Sequence, residues 1–232
     1  MKKIVAIAAL CLIGRSFISA QETDLRFGFQ VSPMFSSMGT SENNISGNGA
    51  NLGLKLGMNA EIFFRENYAF ITGIGFAFNS GGTLLHDQGG QIWTKTELPQ
   101  NVDPTFLPGV DLKYGIQYVE IPLGLKFRTN EFGYLRYWLE APVISLGFKS
   151  QANGAIEQTG TNEEKIDIKK EVGSLALSWG LAAGVDYSIS SGTALVAGLG
   201  FQRVFTDVTR DVESDDSKAH INNIIIRLGV MF

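Results

Sequence analysis

The stretch INNIIIRLGVMF (221–232) constrains the fold more than any other. In steps of two, Ile224, Ile226, Leu228, Val230 and Phe232 form a wholly apolar series, while Asn223, Ile225, Arg227, Gly229 and Met231 form the other. Period-two alternation marks a β-strand whose faces meet different environments. Chain ends usually fray, so an apolar face that runs to the last residue implies a strand held along its whole length. Two environments do this: the core of a soluble barrel, or lipid around a membrane barrel.

Seven more segments alternate in the same way: Leu25 to Phe35, Leu52 to Phe64, Tyr68 to Asn79, Ile116 to Arg128, a stretch from Tyr134, Val172 to Tyr187, and Ala194 to Phe205. In the Tyr134 segment, Leu135, Tyr137, Leu139, Ala141 and Val143 oppose Arg136, Trp138, Glu140 and Pro142, and the phase blurs after Ile144, as at a β-bulge. The second face of these segments separates the two environments. It is mostly glycine, alanine and serine, interspersed with Arg26, Lys55, Glu61, Glu120, Lys126, Arg128, Arg136, Glu140, Asp186 and Arg227. Ionic side chains among small residues suit a narrow lumen, where each buried charge requires a partner. Glycines 53, 57, 73, 75, 180, 184, 198 and 200 are expected to make room for arginines from the facing wall. The apolar face then meets lipid. Tyr68, Phe127, Tyr137, Tyr187 and Phe232, near segment ends, suit an aromatic girdle.

Connections alternate long (36–51, 80–115, 150–171, 206–220) and short (65–67, 129–133, 188–193). This is the pattern of a transmembrane barrel with long extracellular loops and short periplasmic turns. The expected fold is therefore all-β, an eight-stranded antiparallel transmembrane barrel. Eight strands leave an interior just wide enough for side chains to fill, so the barrel is expected to be plugged and non-conducting. Pro122 inside a strand suggests a kink.

The N-terminus agrees. Lys2 and Lys3 precede the apolar run Ile4 to Ile13, and a small residue, Ala20, offers a cleavage site. Residues 1–20 read as a secretory signal peptide and 21–232 as the barrel domain. Removing 1–20 takes away Lys2, Lys3, Arg15 and no acid, so the formal charge moves from −4 to −7. It also removes Cys11, the sole cysteine, so no disulfide is expected. An acidic chain is a poor partner for nucleic acid.

The run QYVEIPLGLKFR (117–128) is similar to the PorT-like outer-membrane β-barrel family of Bacteroidota, through Tyr118, Glu120, Ile121, Pro122, Leu123, Leu125 and Lys126. LRFGFQVSP (25–33), WGLAAGVDY (179–187) and the final strand add to the likeness. The resemblance implies an eight-stranded barrel in the outer membrane of a Bacteroidota-like Gram-negative cell. Some members of that family take part in type IX secretion and gliding.

His86 beside Asp87, and His220 with Asp215 and Asp216, have the residue types of a rim hydrolase, but no nucleophile–base spacing accompanies them. Asp207, Asp211, Glu213, Asp215 and Asp216 carry calcium-type ligands without the ordered loop a calcium site uses. No catalytic residue, metal site or cofactor is therefore expected. Glu120 with Lys126 or Arg128 suits a structural lumen ion pair, and Phe232 suits an assembly signal read by the barrel-insertion machinery. The expected function is that of a monomeric, non-enzymatic outer-membrane protein, held in lipid, that anchors surface loops for binding or supports a secretion or envelope complex. A narrow small-solute channel and a rim hydrolase are the alternatives.

Overall fold

The computed structural model describes residues 24–100, 102–158, 160–209 and 218–232. The proposed signal peptide therefore lies outside the described residues. Nine strands are present among them: β1 (Leu25–Thr40), β2 (Ile45–Arg65), β3 (Tyr68–His86), β4 (Val110–Arg128), β5 (Leu135–Gln158), β6 (Thr161–Asp167), β7 (Leu175–Ser188), β8 (Ala194–Val204) and β9 (Ala219–Met231). Eight of them close into an antiparallel ring, β1-β2-β3-β4-β5-β7-β8-β9, with β9 returning to β1. β6 stands outside the ring and pairs with the far end of β5. Its polar sequence, TNEEKID, has no alternation to reveal it.

A belt of large apolar side chains encircles the ring. Phe27, Phe29 and Val31 on β1, Phe70, Ile74 and Phe76 on β3, and Ile224 and Leu228 on β9 all point outward and are exposed. Burying any of them inward would cost the lumen its space, whereas in lipid they need no cover. On β3 the belt runs from Tyr68 to Phe78, in keeping with the roughly 9–11 residues a tilted strand needs to cross a bilayer. Aromatic rings collect at the end carrying the short turns. Tyr68 meets Phe127 edge-on at 5.6 Å, and Tyr134 lies 6.1 Å from Tyr187.

Two prolines break the ladders. Pro122 has no N–H to donate, and the β3–β4 register steps from Thr72↔Leu123 to Gly75↔Glu120, skipping Ile121 and Pro122. On β5 the register shifts between Glu140 and Val143, against β4 and β7 alike. This bulge at Ala141–Pro142 corrects the sequence reading: Val143 turns inward and is buried, and Ile144 takes the outward place.

The long connections also differ from expectation. Much of 36–51 and 150–171, and both ends of 80–115, are strand rather than loop, because β2, β3, β4 and β5 run to 21, 19, 19 and 24 residues. They overshoot the bilayer and build a head on its extracellular side. β7 and β8 stop short, and the resulting gap is covered by the segments around 168–173 and 205–209. There Val172 bridges to Thr209, Gly173 N–H donates to the Val208 carbonyl (2.8 Å) and Val208 N–H to that of Ala219 (3.0 Å).

Within the head the polarity of the strands is inverted. On β4, Asp111, Lys113 and Gln117 face water, whereas Leu112, Tyr114 and Ile116 are buried. They pack with Met34, Met38, Ile156, Ile168, Val172 and Ile221 into an apolar core over the lumen. Trp93 and Phe106, from the segment between β3 and β4, complete the seal. Trp93 stands edge-on to Tyr114 at 5.7 Å, and its Nε1–H donates to the Tyr114 hydroxyl at 3.0 Å. Gly154 passes so close under the indole that a Cβ there would lie 2.4 Å from it.

Candidate functional site

Inside the belt the inward faces are polar, and their charges sort into two groups. At the periplasmic level Lys126 is buried among three acids: Glu61 at 2.5 Å, Asp186 at 3.9 Å and Glu140 at 4.0 Å. Arg26 lies 3.9 Å from Glu61 and 3.8 Å from Asp186, while Arg227 pairs with Glu140. The cluster thus holds three cations and three anions and is formally neutral. Trp138 fills the space beside it, with Lys126 Nζ 4.8 Å and the Arg227 guanidinium 5.8 Å from its ring.

One level higher, Lys55 Nζ pairs with Glu120 at 2.7 Å and also donates to Gln202 Oε1. Gln202 is a hub. Its Nε2 donates to Ser178 Oγ at 2.7 Å, and Asn223 Nδ2 donates to its oxygen at 3.3 Å. Across the lumen, Asn59 donates to Gln30 Oε1 at 2.7 Å and Gln30 to Ser32 Oγ at 2.6 Å. Between the levels lies a cavity of about 100 Å³, lined by Lys55, Glu61, Glu120, Glu140, Gln202 and Arg227.

Eight of the ten charged residues singled out from the sequence therefore join these two groups: Arg26, Lys55, Glu61, Glu120, Lys126, Glu140, Asp186 and Arg227. Arg128 and Arg136 do not. Arg136 pairs at the periplasmic rim with Glu131 (2.7 Å), and Arg128 Nε donates to the Glu66 carbonyl (2.8 Å) with its guanidinium stacked on Phe63. Glu120 pairs with Lys55, not with Lys126 or Arg128.

The glycine expectation is corrected as well. A Cβ at Gly184 or Gly198 would sit 2.5 or 2.7 Å from Trp138, so these two admit an indole rather than an arginine. Of the eight positions only Gly200 faces an arginine, with Arg227 Nε 3.6 Å away, while Gly53 accommodates Met34. The amides Gln30, Asn59, Gln202 and Asn223 complete the networks alongside the charges. Their positions in the alternation already pointed inward.

The described loop residues do not assemble into a centre. His86 is buried at the top of β3 and His220 lies on β9 against Gly39. Asp215 and Asp216 lie outside the described residues, as do Asp211 and Glu213. Asp207 is a backbone staple, its Oδ1 accepting from Ala219 N–H at 3.1 Å and Thr209 N–H at 3.3 Å. Among the described residues no group of three or more metal-ligating side chains converges, and no helix is long and apolar enough to cross a membrane.

A closed ring with lipid-facing apolar residues outside and paired charges inside is matched by a family model for the outer membrane protein β-barrel domain over residues 19–228. The chain belongs to that family. It is an outer-membrane β-barrel protein with short periplasmic turns and its long hairpins outside the cell. Similar solved structures include Neisserial surface protein A, at 11% identity over 88% of this chain and 95% of that one, with a TM-score of 0.44. Another is the attachment invasion locus protein Ail of Yersinia pestis in complex with the heparin analogue sucrose octasulfate, at 12% identity, 90% and 99% coverage, and a TM-score of 0.41. The outer membrane protease OmpT of Escherichia coli is similar at 9% identity, 94% and 99% coverage, and a TM-score of 0.41. No curated protein matches the chain in sequence.

Proposed function

We propose that this barrel is a closed, non-enzymatic anchor: it holds a rigid extracellular head at the cell surface and supports an envelope or secretion complex. The observation that carries this reading is the double seal of the lumen. The belt interior is crossed by two charge-balanced networks, and the extracellular end is capped by an apolar core around Trp93, Tyr114 and Ile116. A channel needs a continuous wet path, and the cavity between the networks, about 100 Å³, is walled by ion pairs. The hydrolase reading has less support: Glu42, Asp87 and Asp111 stand near His86, but among the described residues its Nε2 makes no hydrogen bond. The run 117–128 supports a place in the PorT-like branch of Bacteroidota, some members of which take part in type IX secretion, and the supporting role rests on that resemblance. Phe232, exposed at the end of β9 with its N–H donating to the Phe27 carbonyl at 2.7 Å, suits the assembly signal. Planar-bilayer recording with the purified barrel tests the closed reading, which expects no unitary currents. Co-purification from the native envelope tests the second half: a barrel that comes out alone would remove the supporting role.

A further inference from the structure

The periplasmic end of the barrel, unlike the sealed extracellular end, opens into a vestibule of about 570 Å³. That lies within the roughly 300–1,000 Å³ typical of ligand pockets. Three arginines line it: Arg26, Arg128 and Arg136. Two are spoken for, Arg26 by Glu61 and Asp186, Arg136 by Glu131. Arg128 differs. Its guanidinium carbon lies over the Phe63 ring, 3.8 Å from the centroid, and its Nε donates to the Glu66 carbonyl at 2.8 Å, yet among the described residues no carboxylate stands within ion-pair distance, Asp24 and Glu61 acting on it only from further away. The side chain is thus held at two points where it lines the vestibule, and a guanidinium so fixed is preorganised to bind a carboxylate.

We propose that this vestibule is a docking site for a carboxylate-bearing peptide segment of a periplasmic protein, with Arg128 as its anchor. The other lining groups choose peptide over a dense polyanion or a lipid headgroup. Asp24 and Glu131 stand at the same lip and repel closely packed negative charge. Ser188, Ser190 and Thr193 supply hydroxyls and turn backbone for an extended chain. Leu25, Tyr134, Ile189 and Phe232 border the vestibule at the rim and offer apolar contacts to a peptide's side chains. The inference goes beyond the closed-anchor reading, because a barrel can be sealed with or without a periplasmic ligand.

The test uses the purified full-length barrel in detergent micelles, followed through the Arg128 Nε–H resonance. The probe is an acetylated, amidated peptide of alternating glutamate and glycine, compared with its glutamine counterpart and with inorganic phosphate. The glutamate peptide is expected to give a saturable shift that the glutamine peptide does not. Arg128→Gln, checked for folding by heat-modifiable migration, is expected to weaken binding measured by calorimetry about tenfold or more. Arg128→Lys, which keeps the charge and loses the fork, serves as second variant and is expected to weaken it less. No saturable shift, unchanged affinity in both variants, or phosphate saturating the site at the same concentration as the peptide would each overturn the proposal.

Discussion

The belt and the head are made from the same strands, yet they bury opposite chemistries. β4 shows both in one run. From Val110 to Ile116 its even residues are apolar and buried while Asp111 and Lys113 face out; from Tyr118 to Arg128 the even residues include Glu120 and Lys126, and Val119, Leu123 and Phe127 face out. β4 itself runs through this boundary without a break, although its neighbours β3 and β5 bulge beside it. What changes is the solvent. In water the hydrophobic effect drives apolar side chains inward. In lipid it gives no such drive, and the inside is left to groups that can satisfy one another. A strand that crosses from one solvent into the other must therefore exchange its faces.

The largest effect concerns whether the belt forms at all. Deleting Phe232, or replacing it with aspartate, is expected to abolish accumulation of folded barrel, because the β9–β1 seam would end in unpaired backbone at the membrane, at several kcal/mol per group. Normal levels of heat-modifiable protein would show that the seam tolerates an open end. Next comes the belt interior. Lys126→Ala would leave Glu61, Asp186 and Glu140 facing one another, with an expected loss of about 3–5 kcal/mol in urea unfolding from micelles. Glu120→Ala, with only Lys55 stranded, is expected to cost about 1–3 kcal/mol and to open no pore.

In the head the sensitive groups are apolar. Trp93→Ala removes the indole packed on Tyr114 and Phe106 and is expected to cost the head about 3–5 kcal/mol, the usual range for a buried tryptophan. Limited proteolysis of whole cells should then cut between residues 87 and 109, while the heat-modifiable belt persists. Loss of both regions together would contradict their independence.

The smallest effect is a pH response confined to the head. Burial holds the His86 imidazole below its ordinary value of 6.5, against the pull of Glu42, Asp111 and Asp87, and burial with Arg203 nearby lowers His220 as well. For a lowered histidine, stability is complete above the unfolded pKa and is lost as the pH falls below it. Protease resistance of the head is thus expected to decline below about pH 6.5, and His86→Gln should flatten that decline.

The face exchange also explains how much of the molecule was legible beforehand. In the belt, alternation marked all eight ring strands and placed the ten charges on the inner face, with the phase breaking at the Ala141–Pro142 bulge of β5. At the boundary the phase of apolar residues flips, which looks like the end of a strand, so β4 reads as starting at Ile116 when it starts at Val110. β3 adds a bulge at Asn79, in the left-handed region at φ 58°, and β5 another near Ser150, which scramble the pattern further. The partners of the inner charges were not legible, because pairing crosses the lumen between strands distant in sequence: Lys55 reaches Glu120, and Arg227 reaches Glu140. Trp93 and Phe106 carried no periodic signal, and only the folded head shows that they seal it.

The claim that one strand passes through two solvents is tested most directly by a nitroxide scan of β4. The sole native cysteine is Cys11, so labels can be placed singly at Asp111, Lys113, Gln117, Val119, Ile121, Leu123 and Leu125 in barrels reconstituted in bilayers. The account predicts collision with a water-soluble nickel complex from Asp111 to Gln117 and with lipid-dissolved oxygen from Val119 onward, with the crossover between Gln117 and Val119. Oxygen accessibility that continues to Lys113, or nickel accessibility at Leu123, would contradict it.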